Sequence, residues 1–360
     1  MVKAAIIGYG GIGKWHHQGI REAVPGLEVI GAYDVREEAL AESKANGLKA
    51  YGSAQELFDD PAVQLVIITT PNDSHKEYII RGLKAGKHVL CEKPVVLSSA
   101  DLREAIEVSK DAPGVFTIHQ NRRWDKDFQI VKSLIHDGKI GKPYFIESRV
   151  HGSSVFLHGW RGHKINGGGM LYDWGVHLID QALQLLPEKV TSVTAQLFSV
   201  HAQEVDDNFK LLLGFESGVS VLIEVATNCF IPAPRWHVSG EVGTVVIQDW
   251  RCDGRIVKLA EDQEFTWEPD IIYTPAGPTR TMAPRPPETM VEYPLPELKD
   301  AHGNVYHQWS SVDIFYHNLL DAIAGKAELY VKPEEALRVM DIIELAFQSS
   351  REGRGLACSI

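Results

Sequence analysis

The chain has only four cysteines in 360 residues, Cys91, Cys229, Cys252 and Cys358, and no two of them share a pairing interval. That excludes a disulfide scaffold and a cysteine-built zinc framework, and it reads as the reduced thiols of a cytoplasmic protein. Positive charge is the second shortage. Lys and Arg number 36 against 48 Asp and Glu, a net charge of -12. A surface of that sign excludes nucleic acid or an anionic membrane as the main partner. Long apolar runs are missing too, since none approaches the roughly 20 residues needed to span a bilayer. The opening run, Met1 to Gly8, is too short for a secretory signal and leads into glycines. There are no repeats or low-complexity segments. No HxxxH or His/Cys cluster has metal-ligand spacing, so no metal is expected. The nearest candidates, His16-His17 and His302 with His307, read as polar surface.

What is present is ordinary for a globular protein, 44% hydrophobic and 23% charged, with length enough for two cores. Residues 3–7 form a short, nearly continuous apolar run, the pattern of a strand buried on both faces of a parallel sheet. Gly8-x-Gly10-x-x-Gly13 follows, then a helical segment to about Ala23. A second strand, Leu27–Tyr33, ends at Asp34. GxGxxG alone is weak. After a strand, opening a helix, with an acid about 20 residues on, it is the fingerprint of a dinucleotide-binding βαβ unit. Gly8, Gly10, Gly11, Ile12 and Gly13 would let backbone N–H groups reach a pyrophosphate at the helix N-terminus. Asp34 would accept from the ribose hydroxyls and repel a 2′-phosphate, which favours NAD. Arg36 would suit NADP, the less favoured cofactor. Further strands end in Thr70-Pro71-Asn72…His75 and in Glu92-Lys93-Pro94, and strand ends are where ligands of such sheets bind. Strand–helix alternation continues to about residue 120.

From Asn121-Arg122-Arg123-Trp124 onward the texture changes. A strand at 143–151 and short strands at 190–200, 208–215, 219–226, 235–240 and 245–249 predict one antiparallel sheet. Residues 265–295, rich in Pro and Thr, predict long loops. Amphipathic helices are expected at 311–324, reaching back to the domain interface, and at 333–351. The expected class is α/β: a doubly wound parallel sheet over 1–120, then an α+β domain over 121–360 with a large, mostly antiparallel open sheet. Between them lies Gly167-Gly-Gly-Met-Leu-Tyr-Asp173-Trp-Gly-Val-His177-Leu-Ile-Asp180. On a regular helix Asp173 and His177 share a face, extended by Asp180 and Gln184, opposite an apolar stripe. A carboxylate beside that imidazole would orient the ring and raise its basicity.

These motifs, in this order, resemble the Gfo/Idh/MocA family of glucose–fructose oxidoreductases and inositol dehydrogenases. The carrying residues are the glycine turn, Thr70-Pro71-Asn72…His75, Glu92-Lys93-Pro94, Trp160-Arg161 and Gly168-Gly169-x-x-x-Asp173-x-Gly175-x-His177. The resemblance implies a Lys93/Asp173/His177 catalytic set, with Lys93 on the reacting oxygen. It implies cofactor contacts from Thr70, Pro71, Asn72, His75, Glu92, Lys93, Asn121, Trp160 and Arg161, and a homo-oligomer, dimer to hexamer, built through the C-terminal sheet. Arg123 is expected to touch substrate.

Alcohol oxidation needs a hydride acceptor, a base and a stabiliser of negative charge on oxygen. NAD supplies the first. His177, with an unperturbed pKa of about 6.5, suits the base. Lys93 suits the cation, or the base itself if desolvated. Lys93, Arg123, Trp124, His158, Tyr172, Asp173 and His177 are the expected substrate contacts, with Trp124, Trp160, Phe156, Tyr172 and Trp174 as aromatic faces for a sugar. The expected reaction is reversible oxidation of a secondary hydroxyl on a sugar, inositol or glycoside, the glucoside 3-position being one case. Alternatives are an enzyme that retains NAD for transient oxidation in glycosidic cleavage or epimerisation, and a non-enzymatic NAD-sensing regulator.

Overall fold

The computed structural model describes residues 1–152, 154–260, 270–281, 290–299, 305–307 and 311–360. The first sheet is built from six parallel strands: β1 (Val2–Ile7), β2 (Leu27–Tyr33), β3 (Lys49–Ala50), β4 (Leu65–Ile68), β5 (His88–Cys91) and β6 (Phe116–Ile118), ordered β3-β2-β1-β4-β5-β6. Their apolar residues are covered on both faces: β4 is buried at all four positions. Strand order reverses between β1 and β4, and a crevice opens at such a reversal, outside the strands' carboxyl ends. The helices α1 (Gly11–Ala23), α2 (Glu37–Ala45), α3 (Ala54–Asp59), α4 (His75–Lys84) and α5 (Ser99–Asp111) connect the strands.

The chain then crosses a single helical turn at Asn121–Trp124 into α6 (Lys126–His136). The second sheet has nine strands. Its centre is β7 (Pro143–His151), β8 (Val190–Phe198), β9 (Asn208–Phe215), β10 (Ser220–Ala226) and β11 (Trp236–Gly240). Its flanks add β12 (Gly243–Ile247), β13 (Gly254–Leu259), β16 (Met290–Pro294) and β17 (Leu356–Ala357). The sheet is mostly antiparallel, as expected, with one parallel pair, β7 and β10. They can do so because α7 (Val176–Leu185) and two further strands lie between them, whereas a tight hairpin would force them antiparallel. Within 265–295, where loops were expected, the described residues form β14 (Asp270–Thr274) paired with β15 (Gly277–Thr281), and then β16; residues 261–269 and 282–289 lie outside the described set, as does His302. Pro and Thr do not exclude a short hairpin that turns at Pro275-Ala276 and enters β15 at Gly277 (φ +113°).

One face of this sheet is apolar and the other polar. Val221, Ile223 and Val225 of β10 are buried while Leu222 and Glu224 are half-exposed. The two last helices, α8 (Ser311–Ile323) and α9 (Pro333–Glu352), return to the first sheet. The Tyr316 hydroxyl of α8 lies 2.6 Å from His16 Nδ1 on α1, Thr117 of β6 donates to Val331 O (2.8 Å), and Arg103 of α5 pairs with Asp341 of α9 (2.8 Å). No helix among the described residues is long and apolar enough to cross a membrane.

Candidate active site

A cleft of about 980 Å³ runs along the carboxyl ends of the first sheet to the start of α7. At one end the chain leaves β1 through Gly8, whose φ is +94° and where a Cβ would lie 2.8 Å from Thr70 N. At Gly13 a Cβ would come within 2.4 Å of Gly8 O, so that glycine sets how closely α1 packs on the strand, and it does not line the cleft. Gly10, the N-cap of α1, has no side chain to satisfy the helix's first N–H groups. Gly8, Gly10, Gly11 and Ile12 line the cleft there. An uncapped helix N-terminus beside Gly8, where no Cβ fits, suits a dinucleotide pyrophosphate. Asp34 closes this end. Arg36 forks onto it, Nε to Oδ1 and Nη2 to Oδ2, both at 3.1 Å.

Thr70, Pro71 and Asn72 line the middle of the cleft. His75 does not. It is fully buried, with its two ring nitrogens 2.9 Å from Thr70 O and 3.0 Å from Pro94 O, one of them donating. It ties the turn after β4 to the turn after β5. The Lys93–Pro94 peptide in that second turn is cis.

At the far end Lys93 Nζ donates to Asp173 Oδ1 (2.7 Å) and to Asp173 O (2.9 Å), and Arg161 Nε donates to Asp173 Oδ2 (3.2 Å). Burial pushes the Asp173 carboxyl up, but Lys93 and then Arg161 outweigh it and hold the group below its ordinary value. His177 is 4% exposed, and its Nδ1 lies 3.2 Å from Gln120 Oε1. With that oxygen as acceptor, Nδ1 carries the proton and Nε2 is the ring's free acceptor. Burial, then the Lys93 and Arg122 charges, hold His177 well below its ordinary value.

The expected Asp173–His177 pair is therefore corrected. Residues Leu171–Gly175 form a π-helical turn before α7 begins at Val176, and the wider turn changes the facing of residues four apart. Asp173 is taken by Lys93 and Arg161, and His177 by a neutral amide. Its environment lowers rather than raises its proton affinity. Asp180 and Gln184 do not extend a catalytic face either: Asp180 is buried against Arg123, and Gln184 reaches Glu335.

The glycines before this turn have their own cause. At Gly169 (φ +107°) a Cβ would lie 2.4 Å from Asp206 Oδ1. Asp206 accepts the Leu171 N–H on Oδ2 (2.7 Å) and the Met170 N–H on its backbone oxygen (2.9 Å), anchoring the segment that carries Asp173. Burial pushes Asp206 up to about 6. Sequence reading missed it because 35 residues separate it from Leu171.

Glu92 lines the cleft, and its Oε1 lies 2.9 Å from His16 Nε2 and 2.7 Å from His119 Nδ1. Burial opposes the charged form, but the two imidazoles hold Glu92 well below its ordinary value. His16 is thus not surface, as expected, but 1% exposed. The three residues also approach one another closely enough to form a potential metal-ligand set, unlike the sequence expectation that no such cluster exists. The hydrogen bonds to Glu92 already account for both facing nitrogens.

Among the remaining expected site residues, Asn121, Trp160 and Arg161 line the cleft, while Arg123, Trp124, His158 and Tyr172 do not. Arg123 is buried, Nη2 on Asp180 Oδ1 (2.6 Å) and Nε on Asp180 Oδ2 (2.8 Å). Trp124 is 9% exposed in the core, His158 faces solvent, and the Tyr172 hydroxyl donates to Leu97 O (2.9 Å). Of the expected aromatic faces only Trp160 and Trp174 line the cleft. Residues not anticipated there include Trp15, Tyr33, Tyr78, His119 and Arg122, whose guanidinium stacks 4.2 Å from the Trp174 ring. Arg122 and Arg123 are adjacent on one tight turn, so one faces the cleft and its neighbour the core; sequence alone did not separate them.

Residues 2–120 match the oxidoreductase family with an NAD-binding Rossmann fold, and residues 128–246 match the Gfo/Idh/MocA C-terminal domain. An inositol 2-dehydrogenase of Salmonella paratyphi B is 30% identical over 63% of this chain and 68% of its own. A scyllo-inositol 2-dehydrogenase (NADP(+)) of Bacillus subtilis is 28% identical over 98% and 95%. The crystal structure of an NAD-binding protein from Listeria innocua is 39% identical, with a TM-score of 0.86 over 99% of this chain and 96% of that one.

Proposed function

The chain belongs to the Gfo/Idh/MocA oxidoreductase family, and we propose that it moves a hydride reversibly between a secondary hydroxyl of a sugar, inositol or glycoside and a nicotinamide cofactor. In this reading residues 1–120 hold the dinucleotide and residues 121–360 hold the substrate. The observation that carries it is the meeting of Lys93, Asp173 and His177 at one end of a cleft whose other end is the glycine turn.

The cofactor, held by Gly8–Ile12, Asp34 and the turns after β4 and β5, would supply the hydride acceptor. The chain's own residues do the rest. His177 is neutral at physiological pH because burial and two cations disfavour its charged form, so Nε2 is open to a hydroxyl proton. Gln120 holds the ring by Nδ1. Lys93 brings a positive charge to the oxygen that loses the proton, the role of an oxyanion donor. Asp173 fixes Lys93 by its side chain and its backbone oxygen together, and Arg161 balances the remaining carboxylate oxygen. Trp160 and Trp174 offer apolar faces to a ring. Several polar partners around one hydroxyl suit a polyol, and similarity to inositol dehydrogenases supports that class. Asp34 at the end of β2 favours NAD over NADP, because a buried carboxylate repels a 2′-phosphate.

The test is the absorbance of reduced nicotinamide on mixing protein, NAD⁺ and a panel of inositols, sugars and glucosides. A rise with particular polyols that Lys93→Ala abolishes is expected. Absence of a rise with every polyol, together with reduction driven by a non-polyol alcohol, would overturn the substrate class.

A further inference from the structure

Away from the cleft, the polar face of the nine-stranded sheet brings a thiol, an imidazole and a carboxylate together. Cys229 follows β10 and is partly exposed; its N–H donates to Gly152 O (2.9 Å), just past β7. Its Sγ lies 3.5 Å from His151 Nδ1 and 3.3 Å from Ile231 O. The Ala233 N–H also donates to His151 Nδ1 (3.2 Å). That bond makes Nδ1 an acceptor and places the ring proton on Nε2. Nε2 in turn faces Glu224 Oε1 at 3.6 Å. Glu224 is held down at about 2, with His151 the first cause. Lys210 (3.2 Å) and Arg149 (3.3 Å) also contact this carboxylate, and Arg149 pairs with Glu147 as well, so two cations and two carboxylates balance there.

The other three thiols lack this setting. Burial pushes Cys91 and Cys358 up and Cys252 up to about 11, so each is held as the inert thiol.

We propose that Cys229 is a modification site, a nucleophilic thiol that exchanges with small disulfides, with His151 as its base and Glu224 as the group that faces the other side of the imidazole. The Cys229 sulfur attacks one sulfur of the disulfide. A new S–S bond forms to Cys229 and the reagent's S–S bond breaks. His151 Nδ1 takes the thiol proton and delivers it to solvent or to the departing thiolate. Cys229 is oxidised to the mixed disulfide, half of the reagent is reduced, and no other oxidant is needed. The site is separate from the hydride-transfer chemistry.

The probe is the dianionic aromatic disulfide dithiobisnitrobenzoate on the full, folded chain, read by released thionitrobenzoate. A single fast equivalent is expected, against four thiols after denaturation. Digestion and mass mapping should place that equivalent on Cys229 without any variant. His151→Gln should slow it by about tenfold or more, since the thiol loses its base, with the denatured thiol count unchanged. No fast equivalent, a fast equivalent mapped to another cysteine, or a His151→Gln chain that reacts at the parent rate would each overturn the proposal.

Discussion

Replacing Arg123 with alanine separates two readings of the turn that enters the second sheet. The family resemblance implies that Arg123 is a substrate contact, while the structure buries it against Asp180. Both members are almost fully buried, 6% and 3% exposed at the side chain. The guanidinium bonds both Asp180 oxygens, at 2.6 and 2.8 Å, and its remaining nitrogen reaches Tyr330 O (2.7 Å) and Glu335 (3.0 Å). Removing it leaves a carboxylate buried without its cation, and such a loss costs about 3–5 kcal/mol. The cost depends on pH, and its sign follows from Asp180. Burial already pushes that carboxyl up despite Arg123. Without Arg123 it rises further, so the folded variant binds a proton more readily than the unfolded chain. The penalty is then full at neutral pH, where Asp180 must ionise, and shrinks as pH falls through the raised value. Urea unfolding of parent and variant at neutral and mildly acidic pH measures both. The expected result is the larger deficit at neutral pH, with kcat/KM per folded molecule little changed. A variant that unfolds within about 1 kcal/mol of the parent but loses turnover would refute the reasoning and restore Arg123 to the substrate.

Two further outcomes follow from the cleft. Because His177 is held well below the ordinary histidine value, a pH profile of kcat/KM for polyol oxidation should show no bend near about 6.5, and His177→Ala should lose about 10²–10⁴ in kcat; a bend at that pH, absent from the variant, would mean the ring is not desolvated. Asp34→Ser, which removes the carboxylate and frees the Arg36 fork, should shift preference toward NADP, measured as the ratio of kcat/KM for the two cofactors, and an unchanged ratio would show that Asp34 does not discriminate.

Local pattern carried much of this. Apolar runs of four residues (β4, and Ala4–Ile7 of β1) mark strands covered on both faces, because a strand needs only its neighbours in sequence to declare its burial. The glycine turn was legible for the same reason, as Gly8 takes a positive φ and Gly13 packs against Gly8 O within one turn. The hydrogen-bond partners were not legible. Asp173 and His177 stand four apart, yet a π turn and cations from distant segments divide them. Arg122 and Arg123 are neighbours of one kind with opposite fates, cleft and core. His16 meets Glu92 across 76 positions and Tyr316 across 300.

The sequence by itself determined the two-sheet architecture, the dinucleotide turn and the family to which the chain belongs, since each rests on short-range periodicity, backbone freedom and motif spacing. Only the tertiary structure decided which groups share charge, which histidine is neutral, and which arginine faces the cleft. Those depend on burial and on contacts between segments far apart in the chain, and a proton's affinity is set by the dielectric and the charges around it rather than by the residue's neighbours in sequence.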